Sequence, residues 1–210
     1  MVAQSSTAIP SRSRRLRAAA VVCVLLLAGA ALWAGLRSGD PKRFGTVAEG
    51  MIYRCGEVSP DQLARLHERL NLHSVLSLLN DSAPVTVAER AAAERLGLRW
   101  FNVPLTGDGA STPEDRARIR QIVLDPANYP LLVHCAAGAN RTGLAIGIYR
   151  LHHDHWTLEQ VLDEMRAYGF EDEPHHENLR AALAAEAVRT TTNDERADEP
   201  RNQGTEGGRP

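Results

Sequence analysis

Apolar positions along the chain alternate between two spacings. Leu63, Leu66 and Leu70 repeat at helical intervals behind Ser59-Pro60, a capping residue followed by a proline at the first helical position. His73 to Leu79 (H-S-V-L-S-L-L) is instead a short, nearly continuous apolar run, the pattern of a strand buried on both faces. Val85 to Leu96 returns to a helical reading and is closed by Gly97; Arg99 to Val103 reads as the next strand. Thr112-Pro113-Glu114-Asp115 carries the capping pattern of a helix running to about Leu124. Leu131-Leu132-Val133 is a short strand, and Thr142 to His153 a helix that is apolar or small almost all round. Leu158, Val161, Leu162 and Met165 mark one face of a further helix. Met51-Ile52-Tyr53 adds a strand near the start, and Glu173 to Val188 a last helix. Strands separated by helices predict an α/β fold with a central, mainly parallel sheet flanked by helices. In such sheets ligands bind beyond the carboxyl ends of the strands.

Residues 18–36 do not fit this alternation. They contain no charge and follow Arg12, Arg14, Arg15 and Arg17. At 1.5 Å per residue they would reach roughly 28 Å, close to the ~30 Å hydrocarbon thickness of a bilayer. The expectation is a transmembrane anchor, with a signal peptide cleaved near Ala28-Gly29-Ala30 as the alternative. Arginines before the span favour a single-pass protein with a cytoplasmic N-terminus, a bias weakened by Arg37, Lys42 and Arg43. A cleaved helix would make the domain secreted or periplasmic. The expected boundaries are a basic segment 1–17, the anchor 18–36, a linker 37–43, a domain 44–188 and a disordered tail 189–210, the tail lacking apolar periodicity.

Composition is globular, 43% hydrophobic and 24% charged, and a net charge of −2 gives no footing for nucleic acid. The cysteines, Cys23, Cys55 and Cys135, form neither a C-x-x-C pair nor a zinc spacing, which argues against a disulfide scaffold. His152, His153 and His155 around Asp154 lack a helical i, i+4 pair on one face, and no metal is expected there. Arg54 reads as structural.

The chemistry concentrates in V-H-C-A-A-G-A-N-R-T-G, residues 133–143, where a strand ends and a helix begins. Backbone N–H groups in such a loop converge on an anion, helped by the helix dipole. The candidate phosphate-binding residues are Ala136, Ala137, Gly138, Ala139, Asn140 and Arg141, whose planar fork matches two phosphate oxygens. The same field lowers a thiol from about 8.5 toward roughly 3.5–7.5, which makes Cys135 a candidate nucleophile. Thr142 offers a hydroxyl to the sulfur, and His134 orients the cysteine backbone.

H-C-A-A-G-A-N-R-T-G resembles the H-C-x5-R-[ST]-G motif of the cysteine-dependent protein-tyrosine and dual-specificity phosphatases. V-A-E-G-M-I-Y-R-C-G-E-V-S and L-N-L-H-S-V-L-S-L-L are similar to the opening segment and second strand of the small atypical dual-specificity phosphatases of the plant and fungal type. Cys55 stands where a serine is common in them. Low-molecular-weight phosphatases place their anion loop near the domain start, and rhodanese-like enzymes lack the H-C-x5-R-T-G pattern; both fit worse. The resemblance implies hydrolysis of phosphomonoesters through a phosphocysteine, without cofactor or metal.

The resemblance also implies a carboxylic acid on an upstream loop. Asp108, in T-G-D-G, is the candidate acid and base; Glu114 and Asp115 read as capping residues, and Glu171-Asp172-Glu173 is an outside alternative. Phosphoinositide and inositol-polyphosphate phosphatases of the superfamily place Lys or Arg among the five loop residues, which are uncharged here. The expected partner is therefore a phosphorylated protein carrying phosphotyrosine, or a small phosphoester, with dual specificity open. An inositol phosphate or phosphoinositide substrate is the alternative, and an inactive phosphate-binding module the reading of another class. Cys55 is the candidate partner should Cys135 oxidise.

Overall fold

In the computed structural model, residue 21, residues 39–171 and residues 173–198 are described, and every element below belongs to the unit Pro41–Pro210. Five strands form one sheet in the order β1-β2-β5-β3-β4: β1 Gly45–Ala48, β2 Ile52–Cys55, β3 Ser74–Ser77, β4 Arg99–Asn102 and β5 Leu131–His134. The pairings of β5 with β2 and β3, and of β3 with β4, are parallel; β1 runs antiparallel to β2. The sheet is thus mixed. Only Glu49, Gly50 and Met51 separate β1 from β2, too few for a parallel crossover.

The helices are α1 Pro60–Leu70, α2 Pro84–Arg95, α3 Pro113–Val123, α4 Asn140–His152, α5 Leu158–Ala167 and α6 Glu177–Asp198, with single 3-10 turns at Pro126–Asn128 and Pro174–His176. Ser59 and Thr112 cap α1 and α3 as the sequence predicts, each closing a reciprocal box, with Gln62 and Asp115 respectively. The last helix continues past its expected end at Val188 to Asp198; the rest of the expected tail, residues 199–210, lies outside the described residues.

Strand alternation divides the core into two layers. Ile52, Leu76, Leu131 and Val133 join residues of α3 to α6 on one face, whereas Tyr53, Cys55, Val75 and Leu132 join α1 and α2 on the other. Helix α4 lies at the centre of the first layer and is buried from Thr142 to Tyr149. Gly147 lets its neighbours close on it, since a Cβ there would stand 2.7 Å from both Val161 on α5 and Leu183 on α6.

The transmembrane helix expected over 18–36 lies, but for Val21, outside the described residues. Among the described residues no helix is long and apolar enough to cross a membrane. Helix α4, the most buried, has 13 residues, or about 20 Å, and carries Arg141 and Arg150. Helix α6 has the length but carries Arg180, Glu186 and Arg189 along it. This corrects the expected fold class, which included an N-terminal span, and with it the single-pass localisation.

Glu186 of α6, 1% exposed, fastens the helical layer. It accepts from Arg120 Nη1 on α3 at 2.6 Å, stands 3.0 Å from His152 Nε2 on α4, and pairs with Arg116 Nε at 3.4 Å. Burial alone would raise its pKa, but the His152 and Arg120 contacts outweigh this and bring it from 4.5 to about 2. A carboxyl depressed in the folded state contributes stability that is complete above its unfolded pKa and lost as pH falls through the folded one. We therefore expect a contribution of about 3 kcal/mol at neutral pH that disappears between about pH 4.5 and 2. Thermal melts across that range should show a steep acid limb that Glu186→Gln flattens; equal slopes for the two proteins would refute the assignment.

Candidate active site

The register brings Cys55, Ser77 and His134 level at one edge of the sheet, so the loops after β2, β3 and β5 meet there. The chain leaves β5 at His134, turns through Cys135 to Ala139, and enters α4 at Asn140. No side chain caps α4, which leaves the dipole end and amides of its first turn facing the loop's concavity.

Four of the loop's carbonyls are taken by donors outside it. Ala136 O accepts from Glu57 N at 3.0 Å, Ala137 O from Arg43 Nη1 at 2.9 Å, Gly138 O from Arg54 Nη2 at 3.0 Å and Ala139 O from Gly143 N at 2.6 Å. Because a trans peptide points its N–H opposite its C=O, carbonyls held outward turn the following amides inward. Gly138 has φ +74, and a Cβ on it would stand 2.7–2.9 Å from the backbone of Cys55 and Gly56, so only glycine fits. Its N–H points at Cys135 Sγ, 3.3 Å away.

Cys135 is buried. Desolvation pushes its thiol up, but the hydroxyl and amide of Thr142, the Gly138 amide and the Arg141 charge outweigh it and hold the thiol below its ordinary range. Arg141 donates through Nη1 to the carbonyls of Leu78 and Leu105, each at 3.2 Å, which anchors one edge of its fork at the ends of two neighbouring loops. Behind the cysteine, His134 is fully buried with Nε2 3.0 Å from Glu89 Oε1. Desolvation works against the imidazolium, and the Glu89 charge prevails, so the pKa of His134 is raised. Glu89 itself is fixed by Trp100 Nε1 at 2.9 Å and by Ser77 Oγ at 3.4 Å.

A cavity of about 280 Å³ opens over this loop. Cys135, Ala137, Ala139, Asn140 and Arg141 form its floor, and Lys42, Arg43, Glu171 and His176 stand in its wall. Arg43 is held in a left-handed conformation, φ 53, with its guanidinium lying where a Cβ on Gly169 would be. His176 shares a short contact with the loop, its Nε2 2.8 Å from Asn140 Nδ2, while Nδ1 donates to Glu171 O at 2.7 Å.

Of the residues singled out in the sequence, Cys135, Arg141, Thr142, His134 and the loop 136–140 come together. Asp108 does not join them here: Gly107 lines the cavity, but the Asp108 side chain is exposed and turned aside. It accepts from Thr106 Oγ1 at 2.5 Å, Ala110 N at 3.1 Å and Asn178 Nδ2 at 3.2 Å. The Thr106 bond foremost, then that of Ala110, lowers its pKa and keeps it ionised. Cys55 and Cys135 form no disulfide and pack on opposite faces of the sheet, so the strand pleat directs the two thiols apart.

Sequence reasoning missed Glu89, Lys42 and Arg43. Glu89 was signalled by its place on the buried face of α2 with Thr86 and Ala93, a carboxyl inside an otherwise uncharged stripe. Lys42 and Arg43 stand in a segment that reads as a linker.

The chain is similar to known proteins. The inositol diphosphatase SIW14 of Saccharomyces cerevisiae is 34% identical over 135 residues, which cover 62% of this chain and 46% of that protein. The dual specificity protein phosphatase TpbA of Pseudomonas aeruginosa is 31% identical over 133 residues, covering 63% and 56%. The chain thus spans about half the length of the curated relatives it matches. The crystal structure of the core catalytic domain of the PP-IP phosphatase SIW14 from S. cerevisiae, in complex with citrate, superposes with a TM-score of 0.60 at 29% identity, over 75% of this chain and 95% of that one. Residues 40–197 match the Tyrosine phosphatase family from the segment before β1 to the end of α6, and the chain belongs to that family.

Proposed function

We propose that the protein is a cysteine-dependent phosphatase whose preferred substrate is an inositol phosphate carrying several phosphates, an inositol diphosphate above all. One observation carries the choice of substrate. The five loop residues are uncharged, yet Lys42 and Arg43 bring two cations to the cavity wall from outside the loop. A single phosphate is satisfied by the loop amides and Arg141; further phosphates need this second bank of charge. The likeness to SIW14, named an inositol diphosphatase, supports the same reading over a phosphotyrosine protein. TpbA, named a dual specificity protein phosphatase, keeps hydrolysis of phosphoproteins as the second reading.

Cys135 Sγ attacks phosphorus in line; the S–P bond forms as the bond to the leaving oxygen breaks. Arg141 and the inward amides hold the equatorial oxygens, and Thr142 hydrogen-bonds the sulfur when it departs. Water then attacks the phosphocysteine, gives up a proton, and releases inorganic phosphate and the thiolate. Asp108 is the proposed acid and base for ester substrates, a role that requires its loop to swing over the cavity. A diphosphate eases that demand. Its leaving group is a phosphate with a pKa of about 6, against about 10 for the phenol of phosphotyrosine.

A panel of inositol diphosphates, phosphoinositide vesicles, a phosphotyrosine peptide and an aryl phosphate tests this reading. The highest kcat/KM is expected on the inositol diphosphate, with all turnover abolished in Cys135→Ser. Lys42→Ala should lower kcat/KM about tenfold on the inositol diphosphate and leave the aryl phosphate nearly unchanged. Preference for the peptide, with no selective effect of Lys42→Ala, would move the assignment to the second reading.

The proton requirement can be checked separately. Asp108→Asn is expected to cost roughly 10²–10⁴ in kcat on a phosphomonoester with a poor leaving group, and far less on the diphosphate. If Glu171→Gln produces that loss and Asp108→Asn does not, the acid is Glu171, which already lines the cavity.

A further inference from the structure

Arg54 is among the largest fully buried side chains of the protein and lies on β2, at the back of the anion loop. Nη2 donates to Gly138 O at 3.0 Å, and the guanidinium stands over the Tyr168 ring, its Cζ 3.7 Å from the centroid. Nε and Nη1 have no hydrogen-bond partner among the described residues, and no carboxylate there forms an ion pair with it. A buried guanidinium so sparsely satisfied is costly, and packing alone would be served by an apolar side chain. What it does touch is the residue that faces the cysteine: Gly138 gives its carbonyl to Arg54, and its amide, on the preceding peptide, lies on Cys135 Sγ.

We infer that Arg54 is a positioning residue for the anion loop and its nucleophile: by holding the Gly138 carbonyl outward it turns the Ala139 amide into the cavity and anchors Gly138, whose own amide lies on the Cys135 sulfur, and its charge serves the thiolate from behind while Arg141 serves it from the front. This rests on the reading of Cys135 as the nucleophile. Burial is the largest influence on Arg54 and depresses its pKa; Glu164, Tyr168 and then Cys135 pull the other way. An arginine remains a cation under that burden, where a lysine readily gives up its proton. The groups bearing on the pair are Glu164 from α5, Tyr168 just after it, Arg150 and Arg141 from α4, and His134 from β5. None of these is bonded to the Gly138 carbonyl, which Arg54 holds; the peptide that carries the Gly138 amide is held through Ala137 O by Arg43.

The test is the pH dependence of Cys135 alkylation by iodoacetamide in the full chain, followed by mass spectrometry on the peptide that contains Cys135. It needs no substrate, so its result is separate from that of the substrate panel. In Arg54→Met the midpoint should rise by about one unit, leaving roughly tenfold less thiolate below both midpoints. Arg54→Lys should show a smaller rise, because a point charge replaces the fork. A folded Arg54→Met whose midpoint equals that of the wild type would overturn the inference and leave Arg54 a packing residue. Should Arg54→Met fail to fold, as judged by circular dichroism, Arg54→Lys decides: a raised midpoint supports the inference and an unmoved one overturns it.

Discussion

The site depends on the direction of three consecutive carbonyls. Ala136, Ala137 and Gly138 would, in an unbraced loop, leave their oxygens free to face either way, and a carbonyl turned into the cavity would repel a phosphate. Glu57 N, Arg43 and Arg54 hold them outward. An unpartnered buried carbonyl costs about 1–3 kcal/mol, so the bond to Gly138, the buried residue of the three, also removes a penalty from the loop. The anion site is therefore a property of the contact between the β1–β2 region and the loop, and neither segment makes it alone.

Charge is distributed in the same divided manner. The loop contributes one cation, Arg141, and backbone dipoles. Lys42 and Arg43 enter from before β1, Arg54 from within β2, and the His134–Glu89 pair from the opposite face of the sheet. The surroundings of Cys135 thus combine a front that changes with ligand and a rear that is fixed by burial. A neutral loop is compatible with a highly charged substrate once the wall is counted with the floor.

What was legible in the sequence was what burial and local hydrogen bonding write into it. Ser59 and Thr112 announce their helices because caps are local; the all-round apolar stretch from Thr142 announces a central helix because every side of α4 is covered. The strand–loop–helix around Cys135 is legible for the same reason, together with its resemblance to a known motif. The rest depends on partners far along the chain. β1 is four residues, Gly-Thr-Val-Ala, too short for any period to show, and its neighbours Lys42 and Arg43 read as linker until the sheet folds them against the loop. Glu89 is one polar residue in an uncharged stripe, and nothing local says that His134 awaits it. Asp108 has the right setting between glycines, but its hydrogen bonds to Thr106 and Asn178 are tertiary choices that spacing does not contain.

The bonds from Arg43 to Ala137 and from Arg54 to Gly138 join residues 94 and 84 positions apart. Contacts of such separation form late, after the intervening chain has collapsed, because loop closure must come first. Until then Cys135 lacks both its turned amides and its rear cation, and it has the chemistry of an ordinary thiol. Reactivity toward phosphate and toward oxidants is thereby tied to completed folding, so a nascent chain emerging in order from the ribosome carries Cys135 largely as the less reactive thiol until the domain is finished.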